Sequence, residues 1–328
     1  MYTLLTRRVC SAMLRCSNIL MTDVFKNIEE AVKEANHVLL VTDTRPDGDT
    51  FGSSLAFAEW LRGLGKRVLH FSPSPIPSAF SFIPGVCEIT ENVSVLSDDK
   101  IDLVCTFDSS RAEAMLPLVE RARENARLIV FDHHAANSRF GDINAVFPEA
   151  ASTCEVVYDF FKTRDIRISS DTAKCLLVGM MTDTHVFGNA MTVSSTFKKT
   201  GELLLLGGNL SRVVNRAVAQ TSLSRLRLLG KVFERCVSFP KIGAVATYLL
   251  QSDLDDTGTT DEDAMEFIDY ISSVLSTEVI FFFKELPFGK GVKVSMRSSG
   301  PDMLPLAAAF GGGGHKQSCG FTLGDGRR

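Results

Sequence analysis

The stretch Phe131-Asp132-His133-His134 places an acid and two adjacent imidazoles directly after the hydrophobic run Leu128-Ile-Val130. Such a run predicts a buried strand, so the polar residues should stand where that strand emerges at the edge of a sheet. Open α/β sheets bind their ligands at this edge. An isolated Asp-His-His is more often a solvated turn, so the prediction of a site depends on what else ends at the same edge.

Three other apolar segments, which end at residues 42, 107 and 182, are also followed by acids. Those acids are Asp43, Asp47, Asp49, Asp108 and Asp183. If the four segments bring their ends together, the carboxylates would repel one another unless they held cations. Oxygen ligands with one or two histidines suit Mn²⁺ or Mg²⁺ better than zinc. Two such ions, roughly 3.5 to 4 Å apart, would favour hydrolysis of a phosphate ester.

The alternation of short strands with helices predicts βαβ units and a parallel sheet. Helices are expected over 52–64 and 111–124, and Ser152-Thr-Cys-Glu155 is typical of a capping box that opens another helix. The acidic stretch 253–263 is most simply a solvated connection. Since 328 residues predict about two domains, we expect a second, smaller domain after a helical linker.

Composition sets limits on partners and compartment. The chain is 45% hydrophobic and 23% charged, with a net charge of -4 and a pI near 5.9. This charge argues against a long nucleic-acid groove, which needs a basic surface, but not against short substrates. Scattered cysteines without a CxxC pair predict reduced thiols in a cytoplasmic protein. No stretch approaches the roughly 18 apolar residues of a membrane span.

Five motifs resemble, in order and spacing, those of the DHH-DHHA1 phosphoesterases. They are Asp43-Thr-Arg-Pro-Asp47-Gly-Asp49, Asp108, Asp132-His133-His134, Asp183-Thr184 and Gly311-Gly-Gly-Gly-His315. The resemblance runs from about residue 22 to the end, and points to the stand-alone oligoribonucleases that are also phosphatases of 3′,5′-bisphosphate nucleotides (PAP). It implies an α/β DHH domain over 22–206, a linker with a helix over 207–237, and an α+β DHHA1 domain over 238–328. Residues 1–21 would be an unstructured lead or an over-long start, with a transit peptide as the alternative.

The resemblance also implies roles for individual residues. Two Mn²⁺ ions, with Mg²⁺ as the alternative, would be held by Asp43, Asp47, Asp49, Asp108, His133 and Asp183, with Asp108 bridging the ions. Asp108, Asp132, His133 and His134 would form the catalytic set, in which Asp132 orients His133 and His134 faces the substrate phosphate. The substrate would be bound by His134, Arg297, Ser298, Gly312, Gly313, Gly314 and His315.

One residue departs from the family pattern. Asp43 stands where the motif ordinarily begins with a histidine. A carboxylate can still bind a hard cation, but Asp43 could instead face away from the first metal. The glycine run Gly311 to Gly314 can be interpreted in two ways from the residues alone. Four glycines in a row are usually a flexible linker, but the hydrogen-bond donors that follow this run favour a binding loop.

These observations predict a metal-dependent phosphoesterase that acts on short oligoribonucleotides, linear dinucleotides or PAP. An inorganic pyrophosphatase is the first alternative, because it shares the Asp-His-His core. A nucleotide-binding module without catalysis is the second, because Asp43 replaces a histidine. The expected partner is short RNA or a nucleotide, with no membrane, and a homodimer remains open.

Overall fold

The computed structural model describes residues 21–122, 126–189, 191–218, 222–264 and 267–324. The predicted lead at residues 1–21 therefore lies, except for Met21, outside the described residues. The chain divides into two compact units, Met1–Gln220 and Thr221–Arg328. In the described part, no helix has the length and apolar character needed to cross a membrane.

The first unit is built on a five-stranded parallel sheet. Its strands are β1 (His37–Thr42), β2 (Arg67–Phe71), β3 (Leu103–Phe107), β4 (Arg127–Asp132) and β5 (Ile143–Val146). They lie in the order β2-β1-β3-β4-β5, with every neighbouring pair parallel. The carboxyl ends of β1, β3 and β4 are therefore adjacent, where the chain order reverses between β1 and β3. This confirms the α/β parallel-sheet fold predicted from the sequence.

Helices cover both faces of this sheet. They are α1 (residues 21–34), α2 (Gly48–Gly63), α3 (Ala112–Val119), α4 (Thr153–Thr163), α5 (Ser170–Asp183), α6 (Ser194–Leu205) and α7 (Leu210–Val213). Helix α2 begins at Gly48, before the predicted residue 52, because Asp47 caps it by accepting from the backbone N–H groups of Asp49 and Thr50. Helix α3 is shorter than the predicted 111–124, and a 3₁₀ turn over Glu120–Ala122 follows it.

The strands are buried on both faces. In β4, Ile129 and Phe131 pack into a core with α1, α2, α4 and α5, whereas Leu128 and Val130 pack into a second core on the α3 side. This alternation follows from the two-residue repeat of a strand. Both faces are apolar, so the polar residues that continue β4 can only gather beyond its carboxyl end.

The second unit holds a six-stranded mixed sheet. Its strands are β6 (Val237–Phe239), β7 (Ala244–Leu249), β8 (Val279–Glu285), β9 (Val292–Ser298), β10 (Gly313–His315) and β11 (Ser318–Leu323), in the order β10-β11-β9-β8-β7-β6. Its helices are α8 (Leu223–Glu234), α9 (Gln251–Thr257), α10 (Phe267–Val274) and α11 (Leu304–Ala309). Only β7 and β8 pair in parallel among the described strands of this sheet. The predicted smaller α+β domain is thus confirmed as a fold.

The prediction of a solvated loop over 253–263 holds only in part, since Asp255, Asp256 and Glu262 are exposed but the stretch is not all loop. Helix α9 occupies its first half, and Asp253 is only 2% exposed. Its carboxylate pairs with the guanidinium of Arg235 and, at 3.2 Å, with Lys231 Nζ. These cations hold the pKa of Asp253 well below its ordinary value, with Arg235 as the main cause. The sequence did not reveal these ion pairs because the basic partners of Asp253 lie at the C-terminal end of α8, Lys231 in its last turn and Arg235 as its C-cap.

Candidate active site

Asp49 is buried at the start of α2, against the N terminus of α4. Its Oδ2 accepts a hydrogen bond from Thr153 N at 2.6 Å, and its Oδ1 accepts one from Cys154 N at 2.8 Å. Free N–H groups at a helix N terminus favour an anion there. Burial and the neighbouring carboxylate of Asp183 nevertheless raise the pKa of Asp49 to about 7. The residue is therefore an anchored carboxylate in crowded negative surroundings.

Glycines let α2 and α5 approach closely enough to bring Asp183 to this point. A Cβ on Gly179 of α5 would lie 2.3 Å from both Asp49 Oδ1 and Cys154 Sγ. A Cβ on Gly48 of α2 would lie 2.5 Å from Thr182 Oγ1. The last residue of α5, Asp183, thus stands beside the first turn of α2.

Asp108 follows β3 with a left-handed backbone, at a φ of 57°. Its Oδ2 accepts from Thr50 Oγ1 at 2.9 Å and its Oδ1 from Thr153 Oγ1 at 3.2 Å. Burial, and then the carboxylates of Asp49 and Asp47, raise its pKa well above the ordinary value. A non-glycine residue in this conformation is strained, and such strain is typical of functional sites.

His133 is held with one ring nitrogen facing carboxylates. Its Nδ1 lies 3.3 Å from the carbonyl oxygen of Ala150, so that nitrogen carries the proton in the neutral ring. Its Nε2 lies 3.0 Å from Asp183 Oδ2 and 3.8 Å from Asp108 Oδ1. This buried Nε2 has no aligned hydrogen-bond partner in the described part of the chain. Burial lowers the pKa of His133, but Asp183 and Asp49 outweigh it and raise the value to about 9.

Asp132 supports His134 rather than the ring of its neighbour. Its Oδ1 accepts from His134 Nδ1 at 2.8 Å and from the backbone N–H of His133 at 2.8 Å, while its Oδ2 accepts from Asn137 Nδ2 at 2.6 Å. This corrects the expectation that Asp132 orients the His133 ring, a task done by Ala150. The bond to Asp132 raises the pKa of His134, whose side chain is 47% exposed.

Two candidate cation groups result from this arrangement. One is Asp49, His133 and Asp183, and the other is Asp108, His133 and His134. The ligand atoms within each group lie within 4.8 Å of one another, and His133 belongs to both. The raised pKa of His133 indicates that its ring favours a positive charge among these carboxylates, and a cation bound by the same atoms would supply that charge. The donor set is one that Mn²⁺ or Mg²⁺ accepts, so the residues fit a metal ion.

Asp43 and Asp47 are not brought into either group. Asp43 Oδ1 accepts from Arg45 N at 2.9 Å, and its Oδ2 accepts from Ser109 Oγ at 2.7 Å. Asp47 is the cap of α2. Burial, with the carboxylate of Asp183 adding to it, raises the pKa of Asp47. Asp47 thus contributes negative charge to the site, whereas Asp43 closes a turn beside it.

In the second unit, Arg297 is held by a carboxylate. Its Nε donates to Asp269 Oδ1 at 2.6 Å and its Nη2 to Asp269 Oδ2 at 3.1 Å, while Nη1 donates to the carbonyl of Met296. Ser298 Oγ donates to the carbonyl of Pro301 at 2.7 Å. Ser298 therefore stabilises the turn after β9, and Arg297 keeps further N–H donors for a ligand.

The glycine run is neither a linker nor a free loop. It leads into the edge strand β10, in which His315 pairs with Ser318 of β11, and Ser318 pairs with Arg297 of β9. Opposite residues on neighbouring strands project to the same face, so His315 and Arg297 share a face of this sheet. Gly314 has a φ of 133°, and a Cβ on Gly312 would lie 2.1 Å from Gly320 O. By contrast, a Cβ on Gly313 would meet nothing within 4 Å.

Two family models match this chain. Residues 37–180 match the DHH family, N-terminal domain, and residues 242–327 match the DHHA1 domain. The bifunctional oligoribonuclease and PAP phosphatase NrnA of Thermus thermophilus is 30% identical over 305 residues, which span 93% of this chain and 87% of the relative. The chain belongs to the DHH-DHHA1 family.

Further similarities extend over nearly the whole chain. The protein of the same name from Bacillus subtilis is 26% identical over 289 residues, covering 87% of this chain and 89% of the relative. The crystal structure of an exopolyphosphatase-related protein from Bacteroides fragilis has a TM-score of 0.79 at 24% identity, covering 93% and 92% of the two chains. The structural likeness supports the fold, and the family with its relatives makes this protein a hydrolase of phosphate esters.

Several residues that contact the predicted site residues were not foreseen from the sequence. They are Thr50, Thr153, Ala150, Asn137 and, in the DHHA1 unit, Asp269. The capping-box pattern at Ser152 gave a partial signal for Thr153, because it placed a helix N terminus there. Ala150 acts through its carbonyl, and Thr50 and Asp269 act on partners that are 58 and 28 positions away. Asn137 is near Asp132 in sequence but lies outside the Asp132-His133-His134 motif, so no local motif marks these contacts.

Proposed function

We propose that the protein uses two divalent cations, with Mn²⁺ preferred and Mg²⁺ as the alternative, to hydrolyse short oligoribonucleotides or linear dinucleotides and PAP. The observation that carries this proposal is the pair of candidate groups that share His133. Its buried Nε2 faces carboxylates on both sides and has no aligned partner among the described residues. Two-cation hydrolysis needs ligands that can be shared between neighbouring ions.

Bound divalent cations would acidify water and neutralise the charge of the reacting phosphate. The residues of this chain keep the ligands in place: α4 anchors Asp49, and the carbonyl of Ala150 fixes the His133 ring. His134 is more exposed, and Asp132 favours its protonated form. We assign to His134 a hydrogen bond to a phosphate oxygen of the substrate.

The charge of the chain and the DHHA1 unit support this choice of substrate. A net charge of -4 does not suit a long nucleic-acid groove. Arg297 and His315 share a sheet face beside glycines without side chains, which suits a terminal phosphate or base. Relatives that align along most of the chain are named oligoribonuclease and PAP phosphatase. Both names describe short nucleotide substrates.

A substrate panel tests the proposal. The purified chain would be treated with EDTA, desalted and supplied with Mn²⁺ or Mg²⁺. A labelled short oligoribonucleotide, a linear dinucleotide, PAP and pyrophosphate would each be offered. We expect no turnover after chelation, recovery with Mn²⁺, and hydrolysis of the nucleotides rather than of pyrophosphate.

Other results would change the assignment. Full activity in excess EDTA would contradict the two-cation mechanism. Preference for pyrophosphate would make the protein a pyrophosphatase. Binding of nucleotides without turnover under every metal condition would leave a binding module.

The buried and free cysteines of the described part of the chain, including Cys105 and Cys175, are compatible with a reducing compartment. We therefore propose a cytoplasmic location.

A further inference from the structure

Two threonine hydroxyls hold the carboxylate of Asp108, one on each oxygen. Thr50 Oγ1 donates to Oδ2 at 2.9 Å, and Thr153 Oγ1 donates to Oδ1 at 3.2 Å. Thr50 lies in the first turn of α2, and Thr153 is the first residue of α4. Both threonines are buried, with exposures of 1% and 0%. The ends of two different helices therefore fix the side chain of a residue on a third element.

Asp108 depends on such support. It stands just beyond β3, and its own backbone N–H bonds to the carbonyl of Phe131 at 2.9 Å, which fixes the main chain but not the carboxylate. Its side chain is only 7% exposed, so its carboxylate depends on donors or cations within the protein. The two hydroxyls are its hydrogen-bond donors in the described part of the chain.

The two hydroxyls leave room for further ligation. Each carboxylate oxygen has two acceptor sites, so one site on each oxygen remains after the threonines have donated. His133 Nε2 and His134 Nδ1 lie 3.8 Å and 3.6 Å from Asp108 Oδ1. The hydroxyls thus select a rotamer in which Asp108 stays beside both histidines of its candidate group.

Thr153 links the two candidate groups. Its hydroxyl donates to Asp108, which belongs to one group, and its backbone N–H donates to Asp49, which belongs to the other. The hydroxyl has no second acceptor among the described residues. The hydroxyl of Thr50 has a second role, because its oxygen also accepts from Asp47 N at 3.4 Å as part of the α2 capping box. A substitution of Thr50 would therefore affect both Asp108 and the cap of α2.

We propose that Thr153, assisted by Thr50, is a positioning residue that sets the orientation of the Asp108 carboxylate for cation binding. This inference rests on the proposed two-cation function. Residues that orient a metal ligand typically contribute about 10- to 100-fold to metal affinity or activity. The contribution is made before any substrate binds, so it is measurable without turnover.

The test compares Thr153→Val with Thr153→Ser in the full chain. Valine keeps the branched shape and the backbone N–H but removes the hydroxyl, whereas serine keeps the hydroxyl. After EDTA treatment and desalting, Mn²⁺ would be titrated into each protein and followed by calorimetry and by electron paramagnetic resonance of free Mn²⁺. We expect Thr153→Val to bind Mn²⁺ about 10- to 100-fold more weakly, and Thr153→Ser to stay near wild type.

Thr106 provides a matched control. It lies in β3, is fully buried, and its Oγ1 has no hydrogen-bond partner in the described part of the chain. Thr106→Val removes a buried hydroxyl from the strand that leads to Asp108 but removes no donor from its carboxylate. We expect unchanged Mn²⁺ affinity, which separates loss of this hydrogen bond from general repacking.

Kinetics give a second readout. At saturating Mn²⁺ and with a labelled short oligoribonucleotide, Thr153→Val should lower kcat with little change in KM, because the substrate does not contact Thr153 in this proposal. If Thr153→Val does not fold, Thr50→Val judged against Thr50→Ser tests the other hydroxyl, with the cap present in the serine variant.

The outcomes separate the two proposals. An active wild-type protein whose Thr153→Val variant binds Mn²⁺ normally would overturn the positioning role alone. Equal losses in Thr153→Val and Thr153→Ser would also overturn it, because the hydroxyl would not be the cause. A wild-type protein that neither binds Mn²⁺ nor hydrolyses nucleotides would overturn the proposed function, and the positioning role with it.

Discussion

At the scale of single residues, Asp43 shows how the same side chain can serve a turn or a metal. Its oxygens accept from Arg45 N and Ser109 Oγ, so it ties the turn after β1 to the residue that follows Asp108. Its assignment as a metal ligand stays a prediction, and its hydrogen bonds favour the turn. Since asparagine supports the same turn without a charge, it discriminates between the roles.

We expect Asp43→Asn to leave Mn²⁺ affinity unchanged and Asp43→Ala to lower stability by about 1 kcal/mol, through loss of the turn acceptors. Calorimetric Mn²⁺ titration and chemical denaturation measure the two quantities. A clear loss of Mn²⁺ affinity in Asp43→Asn would instead make Asp43 a ligand, and Asp43→His should then restore binding.

His70 in β2 is a buried histidine outside the site. It is 2% exposed, and neither ring nitrogen has a hydrogen-bond partner among the described residues. Burial, with the charge of Arg62 adding to it, lowers its pKa from 6.5 to about 3. In the unfolded chain His70 therefore binds a proton below about pH 6.5, whereas in the folded chain it binds one only near pH 3.

We expect this difference to cost the wild type about 2 kcal/mol of stability between pH 7 and pH 5. His70→Leu should lack this loss and be at least as stable as wild type at pH 7, because it buries no unsatisfied nitrogen. Urea denaturation of both proteins at several pH values measures the difference in their free energies of unfolding. The carboxylates titrate in both proteins, so only the difference counts; a constant difference from pH 7 to pH 5 would contradict the assignment.

At the scale of elements, the site is made where the N termini of α2 and α4 meet the C terminus of α5. Two N termini supply backbone donors for carboxylates, and α5 supplies Asp183. Gly179 makes this junction possible, because its missing Cβ leaves the space that Asp49 Oδ1 occupies. The position of a glycine in one helix thus decides where the acid of another helix lies.

We expect Gly179→Ala to displace Asp49 and to reduce both stability and Mn²⁺ affinity. Overpacking of a tight core costs about 1–3 kcal/mol. The matched control is Gly201→Ala in α6, where a Cβ would meet nothing within 4 Å. That change should stabilise the helix by up to about 1 kcal/mol. Thermal unfolding and Mn²⁺ titration compare the variants, and a fully stable Gly179→Ala protein with normal Mn²⁺ binding would contradict this packing argument.

At the scale of the whole molecule, the chain has two compact units that carry different sets of predicted functional residues. The candidate cation groups belong entirely to the first unit, and the predicted substrate residues of the DHHA1 domain to the second. Asp269 accepts from Nε and Nη2 of Arg297 and the carbonyl of Met296 accepts from Nη1, which leaves one N–H on each of Nη1 and Nη2 for a ligand. Cation binding and nucleotide recognition should therefore respond to separate mutations.

We expect Arg297→Ala to raise KM for a short oligoribonucleotide while leaving Mn²⁺ affinity unchanged. Hydrolysis of a small generic phosphodiester should suffer less, because it lacks the part of the substrate that Arg297 would bind. Lys293→Ala, which removes an exposed cation from the same strand, is the control for net charge. Equal losses on both substrates, or an equal effect of Lys293→Ala, would show that Arg297 is misplaced in the recognition surface.

The sequence by itself determined the family, the parallel sheet, the enzyme class and the acids and histidines that end its strands. Each of these depends on local order: hydrophobic runs predict strands, and motifs keep their spacing along the chain. The strand ends correspondingly match those predicted, at residue 42 for β1 and at residue 107 for β3.

Only the tertiary structure decided which partner each side chain takes. Asp132 bonds to His134 rather than to the His133 ring, Asp253 is buried against cations at the C-terminal end of α8, and the glycine run leads into an edge strand. Thr153 reaches Asp108 from 45 positions away. Hydrogen bonds and ion pairs depend on distances of a few tenths of an ångström between elements, and these distances arise from packing, as at Gly179, that no local pattern records.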